Sequence, residues 1–445
     1  MLLLVLTHVL ALSASSLHAP GAGARVARLP LRASRRCAPL ASSAGAASGA
    51  QPPPRRVRFL FSDTGGGHRA SALALQGAME SMYPGQIECD LVDLFVASKV
   101  WPFCEAPAAY RWMAARPIVW KLFFEAGATP LGAWINEVLT DMLCGRRYRE
   151  LLAARPRPDC VVSVHPLMQG PALRALAAND GGTRTTPFAT VVTDLGSAHP
   201  KWFHAGVDAC FVPSDVLAHV ALREGLRPEQ VVQRGLPIRK AFWRGRAGLG
   251  SKADVRLSLG LDANAPTCLA VGGGDGMGDL AAVAVGVAEA LGRRPGRSQL
   301  VVVCGRNEAV QADLDARAWP DNVRVAVLGF VSDMERYMGA ADVLVSKAGP
   351  GTIAEAAAMG LPCVLSSFLP GQEAGNVDFV ADAGFGALHE HPASIGRTVR
   401  EWLDKPAQLE GMAEAALAAA RPDATADIAR DLAKLVLGTR TASHV

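Results

Sequence analysis

The chain has 445 residues, of which 50% are hydrophobic and 19% are charged. That length can bury the cores of two full domains, and the composition excludes a disordered protein. The net charge of +4 depends on five arginines within the first 50 residues, and without them it becomes −1, which excludes a nucleic-acid-binding protein with a basic face.

The first 50 residues have the composition of a targeting segment. An apolar run at 2–12 has the length of a signal peptide, and a stretch rich in Arg, Ser and Ala without acidic residues follows it. A signal peptide followed by a plastid transit peptide is the two-part address of algae whose plastids have extra membranes. We therefore expect residues 1–50 to direct the chain to a plastid. A mitochondrial presequence or a plain secretory signal is the alternative.

The first motif, Ser62-Asp-Thr-Gly-Gly-Gly-His68, follows an apolar run at 57–61 and precedes a helix-forming stretch. A glycine turn between a strand and a helix brings backbone amides, such as that of Gly67, and the positive end of the helix to an anionic ligand. His68 begins the predicted helix, and imidazole is the side chain most easily used as a general base near neutral pH. The alternative is a turn that only packs, with His68 as a capping residue.

Residues 95–134 differ in composition from the rest of the chain. Nine aromatic residues fall in this stretch, and lysines and arginines are interleaved with them. Aromatic and basic side chains on helices interrupted by prolines suit a segment that dips into the surface of a lipid bilayer. The alternative is an ordinary aromatic core beneath a long insertion.

The first half of the chain alternates apolar runs with Ala- and Leu-rich stretches, which predicts a parallel sheet with helices on both faces. The strands predicted at 160–164 and 188–192 are followed by His165 and Asp194. Open α/β sheets bind ligands at the carboxyl ends of their strands. We therefore expect both side chains to share one crevice with His68.

A second α/β series begins after a polar stretch at 239–254, which we interpret as an interdomain linker. Its first strand ends in a glycine-rich turn at 272–278, whose Gly273 and Gly274 are candidate donor-binding residues. A dinucleotide-binding dehydrogenase is the alternative, but no acidic residue closes the next strand, which runs into Arg306.

The last ligand-binding motifs lie in the second half of this series. Gly349, Gly351 and Thr352 present backbone amides at a predicted helix start, which suits a diphosphate, and Glu355 one turn later suits the hydroxyls of a ribose. A loop at 371–376 then carries polar side chains that suit sugar hydroxyls: Gln372, Glu373 and Asn376. Residues 412–437 are predicted to form an Ala-rich helix that packs back across the domains.

The nine cysteines are odd in number and contain no Cys-x-x-Cys pair. We interpret them as buried free thiols of a reducing compartment, without a metal site. No stretch other than the targeting segment reaches the roughly 18 apolar residues that a membrane span needs. Any contact with a membrane is therefore expected at its surface.

Together these motifs closely resemble the plant and algal monogalactosyldiacylglycerol synthases. Their glycosyltransferase family also contains the bacterial peptidoglycan N-acetylglucosaminyltransferase. The resemblance covers residues 57–427 and rests on six segments: 62–71, 163–169, 199–204, 272–278, 347–355 and 371–376. It implies the α/β GT-B architecture, in which two Rossmann-like, doubly wound parallel-sheet domains face a cleft. Residues 57–240 would bind the acceptor diacylglycerol, and residues 255–427 would bind UDP-galactose.

The resemblance also implies an inverting transfer of galactose to the free hydroxyl of diacylglycerol, without a metal or other cofactor. His68 would be the general base, and Asp194 is the second catalytic candidate. The donor would be held by Gly67 and the glycine turns, and by residues of the second domain: Arg306, Phe330 and Val331 for the nucleotide, Thr352 and Ile353 for the diphosphate, and Glu355, Gln372, Glu373 and Asn376 for the sugars.

On the acceptor side the resemblance implies contacts with an anionic lipid activator, such as phosphatidylglycerol, at Pro102, His165 and Trp202. The expected location is the surface of a plastid envelope membrane, where the chain could form a homodimer. The chain departs from its relatives at Asp275, where they usually carry Glu, and at 195–198. A UDP-glucose-dependent enzyme of the same fold and a non-catalytic protein that binds lipid and a UDP-sugar are the alternatives.

Overall fold

The computed structural model describes residues 52–272 and 279–438. The targeting segment expected at 1–50 and the predicted donor-binding residues Gly273 and Gly274 lie outside the described residues. Two six-stranded sheets, each entirely parallel, organise the rest. This arrangement confirms the expected fold class, two Rossmann-like domains.

The first sheet has the spatial order β2-β1-β3-β4-β5-β6. Helices cover both faces of such a sheet, so the strands at its centre are largely apolar rather than alternating, as the buried side chains of Val161, Val162 and Ala189 illustrate. The strands are β1 (Arg55–Phe61), β2 (Ile87–Asp93), β3 (Cys160–Ser163), β4 (Phe188–Val191), β5 (Ala209–Val212) and β6 (Val231–Gln233).

Seven helices of the described chain belong to this first half. The longest of them is the helix Pro130–Ala153. It has a proline in its first turn, and Thr129 caps its start, because Oγ1 of Thr129 accepts a hydrogen bond from the Gly132 N–H at 3.1 Å. The helices are α1 (Gly66–Met82), α2 (Leu94–Ser98), α3 (Ala106–Ala114), α4 (Pro117–Ala128), α5 (Pro130–Ala153), α6 (Gln169–Asn179) and α7 (Asp215–Arg223).

The second sheet has the order β12-β11-β10-β7-β8-β9. Its strands are β7 (Thr267–Val271), β8 (Ser298–Val303), β9 (Val323–Leu328), β10 (Val343–Lys347), β11 (Cys363–Ser367) and β12 (Gly386–Leu388). The helices around it are α8 (Lys252–Ser258), α9 (Leu280–Gly292), α10 (Glu308–Asp315), α11 (Met334–Ala340), α12 (Pro350–Ala358), α13 (Ala374–Asp382), α14 (Pro392–Leu403), α15 (Pro406–Ala419) and α16 (Ala424–Gly438).

Each sheet has one point at which the strand order reverses. In the first sheet the chain moves from β1 outward to β2 and then returns to β3 on the other side, and in the second sheet the reversal lies between β7 and β10. Open α/β sheets bind ligands in the crevice beyond the carboxyl ends of the strands at such points. The loops after β1, β3, β7 and β10 are therefore the expected ligand-binding loops.

The prediction of one helix at 412–437 is wrong. Helix α15 ends at Ala419, and α16 begins at Ala424. Pro422 lies between them, lacks a backbone N–H and disfavours helical geometry at the residue before it, so the helix cannot continue. Helix α16 then packs against the first sheet, since Ile428 shares a buried cluster with Val57. The last segment of the chain thus completes the core of the first half.

The eight cysteines of the described residues are all free thiols, and six of them are buried. Within residues 52–272 and 279–438, no helix combines the length and the apolar character needed to cross a bilayer.

Candidate functional site

His68 lies in the first turn of α1, at the carboxyl end of β1. Its side chain is buried, and Nδ1 is 2.8 Å from the hydroxyl oxygen of Thr193, which follows β4. Gly65 precedes the helix with a φ of 88°, a conformation that favours glycine. The ring of His165, which follows β3, lies 4.8 Å from the ring of His68. The structure thus brings these two predicted histidines together in one crevice.

Both imidazoles are held in the neutral form. Burial lowers the pKa of His68 to about 4, although a hydrogen bond with the carbonyl of Val164 opposes the change. Burial also lowers the pKa of His165, as do the neighbouring His68 and His199. A neutral imidazole has a free lone pair and can therefore accept a proton at neutral pH.

The hydrogen bonds of His165 assign its tautomer. Its Nδ1 accepts a bond from the backbone N–H of Leu167 at 3.3 Å, and its Nε2 lies 2.8 Å from the hydroxyl of Thr64. A neutral imidazole carries one proton, so this proton lies on Nε2 and is donated to Thr64. With both nitrogens engaged, His165 holds the glycine turn in place, and its lone pair is committed to the N–H of Leu167.

Asp194 lies in the same crevice, and its carboxyl group is buried. Its Oδ2 accepts a hydrogen bond from the indole Nε1 of Trp202 at 2.6 Å. The pKa of Asp194 is raised to about 7, mainly by burial and also by the charge of Glu373, while hydrogen bonds from Trp202 and Gln372 oppose the change. Asp194 is therefore a proton acceptor whose charge changes close to neutral pH.

Trp202 is buried in this structure, and its contact with an anionic lipid stays a prediction. Its side chain has no exposed surface, and its indole N–H is committed to Asp194. The described conformation offers a lipid no direct contact with this residue. Trp202 instead packs 5.9 Å from the ring of His68 and connects that ring to Asp194. Pro102 is likewise buried in this conformation.

The two halves of the molecule meet beside Asp194. The amide oxygen of Asn376 accepts bonds from the backbone N–H groups of Leu195 and Gly196 at 3.3 and 3.0 Å, and its Nδ2 donates to the carbonyl of Ala348 at 2.9 Å. A methyl group on Gly196 would lie 1.8 Å from the carbonyl oxygen of Gly375. Asn376, predicted as a sugar ligand, thus joins the two halves in this structure.

The glycine turn after β10 has the predicted position at the reversal of the second sheet. Thr352 is partly exposed in the first turn of α12, and a methyl group on Gly351 would meet no atom within 4 Å. Ile353 is fully buried in the core of this half, so only its backbone can face a ligand. The turn is therefore open at Gly351 and Thr352, where a diphosphate is expected.

Glu355 has a partner that sequence reasoning missed. Arg239, in the segment between the sheets, donates from Nε and Nη2 to the two carboxylate oxygens at 2.6 and 2.7 Å. Burial raises the pKa of Glu355, and the hydrogen bonds and charge of Arg239 oppose the change. Contact of Glu355 with a ribose stays a prediction. Each of its two carboxylate oxygens still has a lone pair that could accept a hydrogen bond from a ribose hydroxyl. No motif in the sequence marked Arg239 as a member of the site.

The residues predicted to hold the nucleotide base form an open aromatic surface. Phe330 is 65% exposed, and the guanidinium of Arg306 lies 5.6 Å from the centre of its ring. Val331 beside it is partly buried. An exposed aromatic ring next to a planar cation can stack on a flat heterocycle.

The aromatic segment forms an inner cluster and an outer apolar surface. On the inner side, the rings of Tyr110 and Trp120 lie 5.1 Å apart, and Phe124 packs against His199 at 5.0 Å. On the outer side, α4 and α5 expose large apolar side chains, which we call the apolar patch: Ile118, Leu122, Leu131, Trp134, Ile135 and Met142. The inner cluster is an aromatic core beneath the insertion, whereas contact of the apolar patch with a lipid bilayer stays a prediction.

A cavity of about 210 Å³ lies between this segment and the crevice. It is lined by residues of α4, α5 and the loops after β3 and β4, among them Glu137, His199, Lys201 and His204. Lys201 forms an ion pair with Glu137 at its wall. In the part of the chain that the structure describes, no group of three His, Cys, Asp or Glu side chains is placed to bind a metal.

Two Rossmann-like sheets with glycine turns at their reversal points define the GT-B fold. Solved structures of this architecture are similar to the chain: MurG from Acinetobacter baumannii, at 19% identity and a TM-score of 0.54, covers 86% of this chain and 100% of its own. The calicheamicin glycosyltransferase CalG4, at 18% identity and a TM-score of 0.51, covers 88% and 100%.

Sequence comparison identifies the family to which the chain belongs among the proteins that share this fold. Residues 68–238 match the monogalactosyldiacylglycerol (MGDG) synthase family, and residues 267–428 match the glycosyltransferase family 28 C-terminal domain. The chloroplastic monogalactosyldiacylglycerol synthase of Spinacia oleracea is 39% identical over 389 residues, which cover 86% of this chain and 73% of that protein. Monogalactosyldiacylglycerol synthase 1 of Arabidopsis thaliana is 38% identical over 389 residues, covering 86% and 71%. The chain belongs to the monogalactosyldiacylglycerol synthase family.

Proposed function

We propose that the chain transfers galactose from UDP-galactose to the free hydroxyl of 1,2-diacylglycerol, with inversion at the anomeric carbon. His68 takes the proton of the acceptor hydroxyl as its oxygen attacks. The glycine turn after β10 holds the diphosphate through backbone amides and the positive end of α12. The names of the relatives support the choice of sugar and lipid, and the burial and contacts of the residues described above support the roles that we propose for them.

One observation carries this proposal. Helix α1, which holds His68, contacts helix α12, which begins at the open turn of Gly351 and Thr352. The contact between these helices supports a common cleft for the neutral imidazole and the expected diphosphate site, in which the acceptor oxygen would lie between the base and the anomeric carbon. Such an arrangement suits direct displacement, which inverts the anomeric configuration.

We further propose that the chain works at a membrane surface. The apolar patch on α4 and α5 would enter the lipid, and an anionic lipid such as phosphatidylglycerol would activate the enzyme. Lys201 and His204 in the adjacent cavity are the cationic or polar groups available to a lipid headgroup, which would have to compete with Glu137 for Lys201. Since the relatives are named chloroplastic, we propose the plastid envelope as the location.

The test is turnover of the purified protein with diacylglycerol in phosphatidylglycerol vesicles, with UDP-galactose and UDP-glucose compared in parallel. We expect UDP-galactose to be used and the β-galactoside to be the product. Use of UDP-glucose alone would replace the donor and keep the fold. No turnover with either, together with retained UDP binding, would favour the non-catalytic binding protein.

Two further expectations accompany this assay. We propose that no divalent metal takes part, so turnover should be unchanged by EDTA. Loss of turnover on chelation, and its recovery with one metal, would contradict this. We also propose a homodimer, which analytical ultracentrifugation in detergent would test directly.

A further inference from the structure

The second sheet carries a cation that the roles described above do not use. Lys347 is the last residue of β10, and its Nζ donates a hydrogen bond to Oε1 of Glu373 at 2.5 Å. The Glu373 side chain is 4% exposed, whereas that of Lys347 is 24% exposed. Glu373 is also held by the backbone N–H of Leu369 at 2.9 Å. The carboxylate is therefore fixed, and the ammonium is the partner that can move.

Lys347 lies beside the first turn of α12. A methyl group on Gly349 would lie 3.6 Å from Nζ of Lys347 and 3.9 Å from the hydroxyl of Thr352. The ammonium and the hydroxyl thus approach the same turn, where the backbone N–H groups of a helix start have no partner within the helix. A phosphate bound at this turn would lie within reach of Nζ.

We propose that Lys347 is a further catalytic residue, whose ammonium leaves Glu373 for the diphosphate of the bound nucleotide sugar and stabilises the departing phosphate. This inference rests on the proposed glycosyl transfer. In that step a bond forms between the acceptor oxygen and the anomeric carbon while the bond from that carbon to the β-phosphate oxygen breaks. The acceptor proton passes to His68, and the electron pair of the broken bond stays on the phosphate oxygen.

Lys347 would stabilise the negative charge that develops on this phosphate oxygen. The ammonium donates a hydrogen bond to it and keeps its own proton, and a charge-assisted bond of this kind is stronger in the partly desolvated cleft than in water. The exchange also releases the Glu373 carboxylate, which is predicted to hold galactose hydroxyls. Donor binding would then supply both a cation for the leaving group and a carboxylate for the sugar.

The other two cations placed near the expected donor site are less suited to this role. Arg239 is held by two hydrogen bonds to Glu355, and the guanidinium of Arg306 lies over the exposed ring of Phe330. Lys347 makes a single hydrogen bond, and an ammonium on a flexible stem can exchange one oxygen for another with little reorganisation.

Binding of UDP and of UMP by the purified protein, measured by calorimetry, tests the inference independently of sugar and lipid. In Lys347→Gln we expect UDP affinity to fall about tenfold and UMP affinity to stay unchanged, because only UDP carries the β-phosphate. We expect kcat to fall about 10²-fold, as for loss of one donor to a developing oxyanion. Lys347→Arg should keep much of both.

Lys252→Gln is the matched control. Lys252 also lies in the second half and pairs with a carboxylate, that of Asp342 at 2.7 Å, which keeps Arg256 as a second partner. We expect its UDP affinity, UMP affinity and kcat to equal those of the unmodified protein. An equal loss in this variant would mean that removal of any such ion pair has the same effect, which would overturn the role of Lys347.

The double variant Lys347→Gln/Glu373→Gln separates attraction by Lys347 from repulsion by an unpaired Glu373. UDP affinity should stay low in this variant if the ammonium binds the β-phosphate. Recovery of UDP affinity would overturn the inference, as would a Lys347→Gln protein that binds UDP normally. Failure of the unmodified protein to bind either nucleotide would instead overturn the proposed function, and this inference with it.

Discussion

The two reversal points of the molecule differ in their electrostatics. At the first sheet, His68 and His165 are neutral because burial lowers their pKa values, and the raised pKa of Asp194 leaves it partly protonated near pH 7. At the second sheet, two buried carboxyl groups each lie against a cation, Glu373 against Lys347 and Glu355 against Arg239. The first site suits transfer of a proton, and the second suits binding of an anion.

This difference matches the two substrates. A lipid alcohol brings no charge to the first site, and neutral groups there need no counter-ion until the proton moves. A nucleotide diphosphate brings several negative charges to the second site, where paired cations can exchange partners with it. Asn376 connects the two sites through the backbone at Leu195 and Gly196. The separation of charge between the halves is therefore a property that substitutions can test.

The largest effect is expected at His68. Removal of a general base costs about 10²–10⁴ in rate, so His68→Ala should lower kcat by that factor while UDP affinity stays unchanged. Steady-state kinetics and calorimetry measure the two quantities separately. His219→Ala, which removes an exposed histidine of α7, is the control and should keep full activity. A His68→Ala protein with full activity would make Asp194 the candidate base.

Sequence reasoning predicted that His68, His165 and Asp194 lie in one crevice, and the physical reason is simple. His68, His165 and Asp194 each follow a parallel strand, and the carboxyl ends of parallel strands lie at one edge of a sheet. The alternation of apolar and helix-forming stretches was sufficient to predict the strands. The glycine turn and its histidine were then sufficient to predict that His68 lies at the start of the helix after β1, and its role as the base stays a prediction.

The contacts between the halves could not be predicted in this way. The bond of Asn376 to Gly196 and the pairing of Arg239 with Glu355 join residues 180 and 116 positions apart in the sequence. They depend on how the two sheets face each other, which the local pattern of neither segment specifies. The error at 412–437 has a local origin, because a high alanine content outweighed the one proline, Pro422, that ends helical geometry.

The second-largest effect is expected for the apolar patch, which lies outside both the first site and the second site. Replacement of Ile118, Leu122 and Trp134 by Ser should lower affinity for phosphatidylglycerol vesicles about 10²-fold, which is a fraction of the roughly 4.5–9 kcal/mol that full burial of three large apolar side chains would contribute, because side chains at a bilayer surface are only partly buried. Cosedimentation with vesicles measures this. UDP affinity should not change.

A control for the patch replaces exposed apolar residues elsewhere: Val216, Leu222 and Leu257. This triple variant should bind vesicles normally. Equal losses in the two triple variants would show that vesicle binding does not depend on α4 and α5.

A smaller effect is expected at Arg239. Arg239→Met leaves the buried carboxylate of Glu355 without its partner, and breaking a buried ion pair at one side is strongly unfavourable. We expect about a tenfold loss of UDP affinity and a lower melting temperature. Arg234→Met removes a more exposed pair, with Asp431, and should change stability by at most about 1 kcal/mol. Equal behaviour of the two variants would remove Arg239 from the site.

The smallest expected effect is a change in the stability of the folded protein with pH. The first site contains one group whose pKa is raised on folding, Asp194, and one whose pKa is lowered, His68, so their effects on stability should have opposite signs. Asp194 has a folded-state pKa of about 7, above its ordinary value of 3.8, so the folded protein binds its proton more tightly than the unfolded chain. As the pH rises from about 4 to about 7, the protein should therefore lose stability relative to Asp194→Asn. Melting temperatures at pH 5 and pH 8 should show a difference of a few degrees.

His68 provides the opposite case in the same crevice. Its folded-state pKa of about 4 lies below the ordinary value of 6.5, so its contribution to stability is present above pH 6.5 and lost as the pH falls towards 4. Relative to His68→Gln, the unmodified protein should therefore become less stable on acidification, whereas relative to Asp194→Asn it becomes less stable as the pH rises. If the stability of the unmodified protein changed with pH in the same direction relative to both variants, the assignment of buried, neutral side chains to this site would be contradicted. Opposite signs would support a crevice that holds its base uncharged and its carboxyl group ready to change charge near neutral pH.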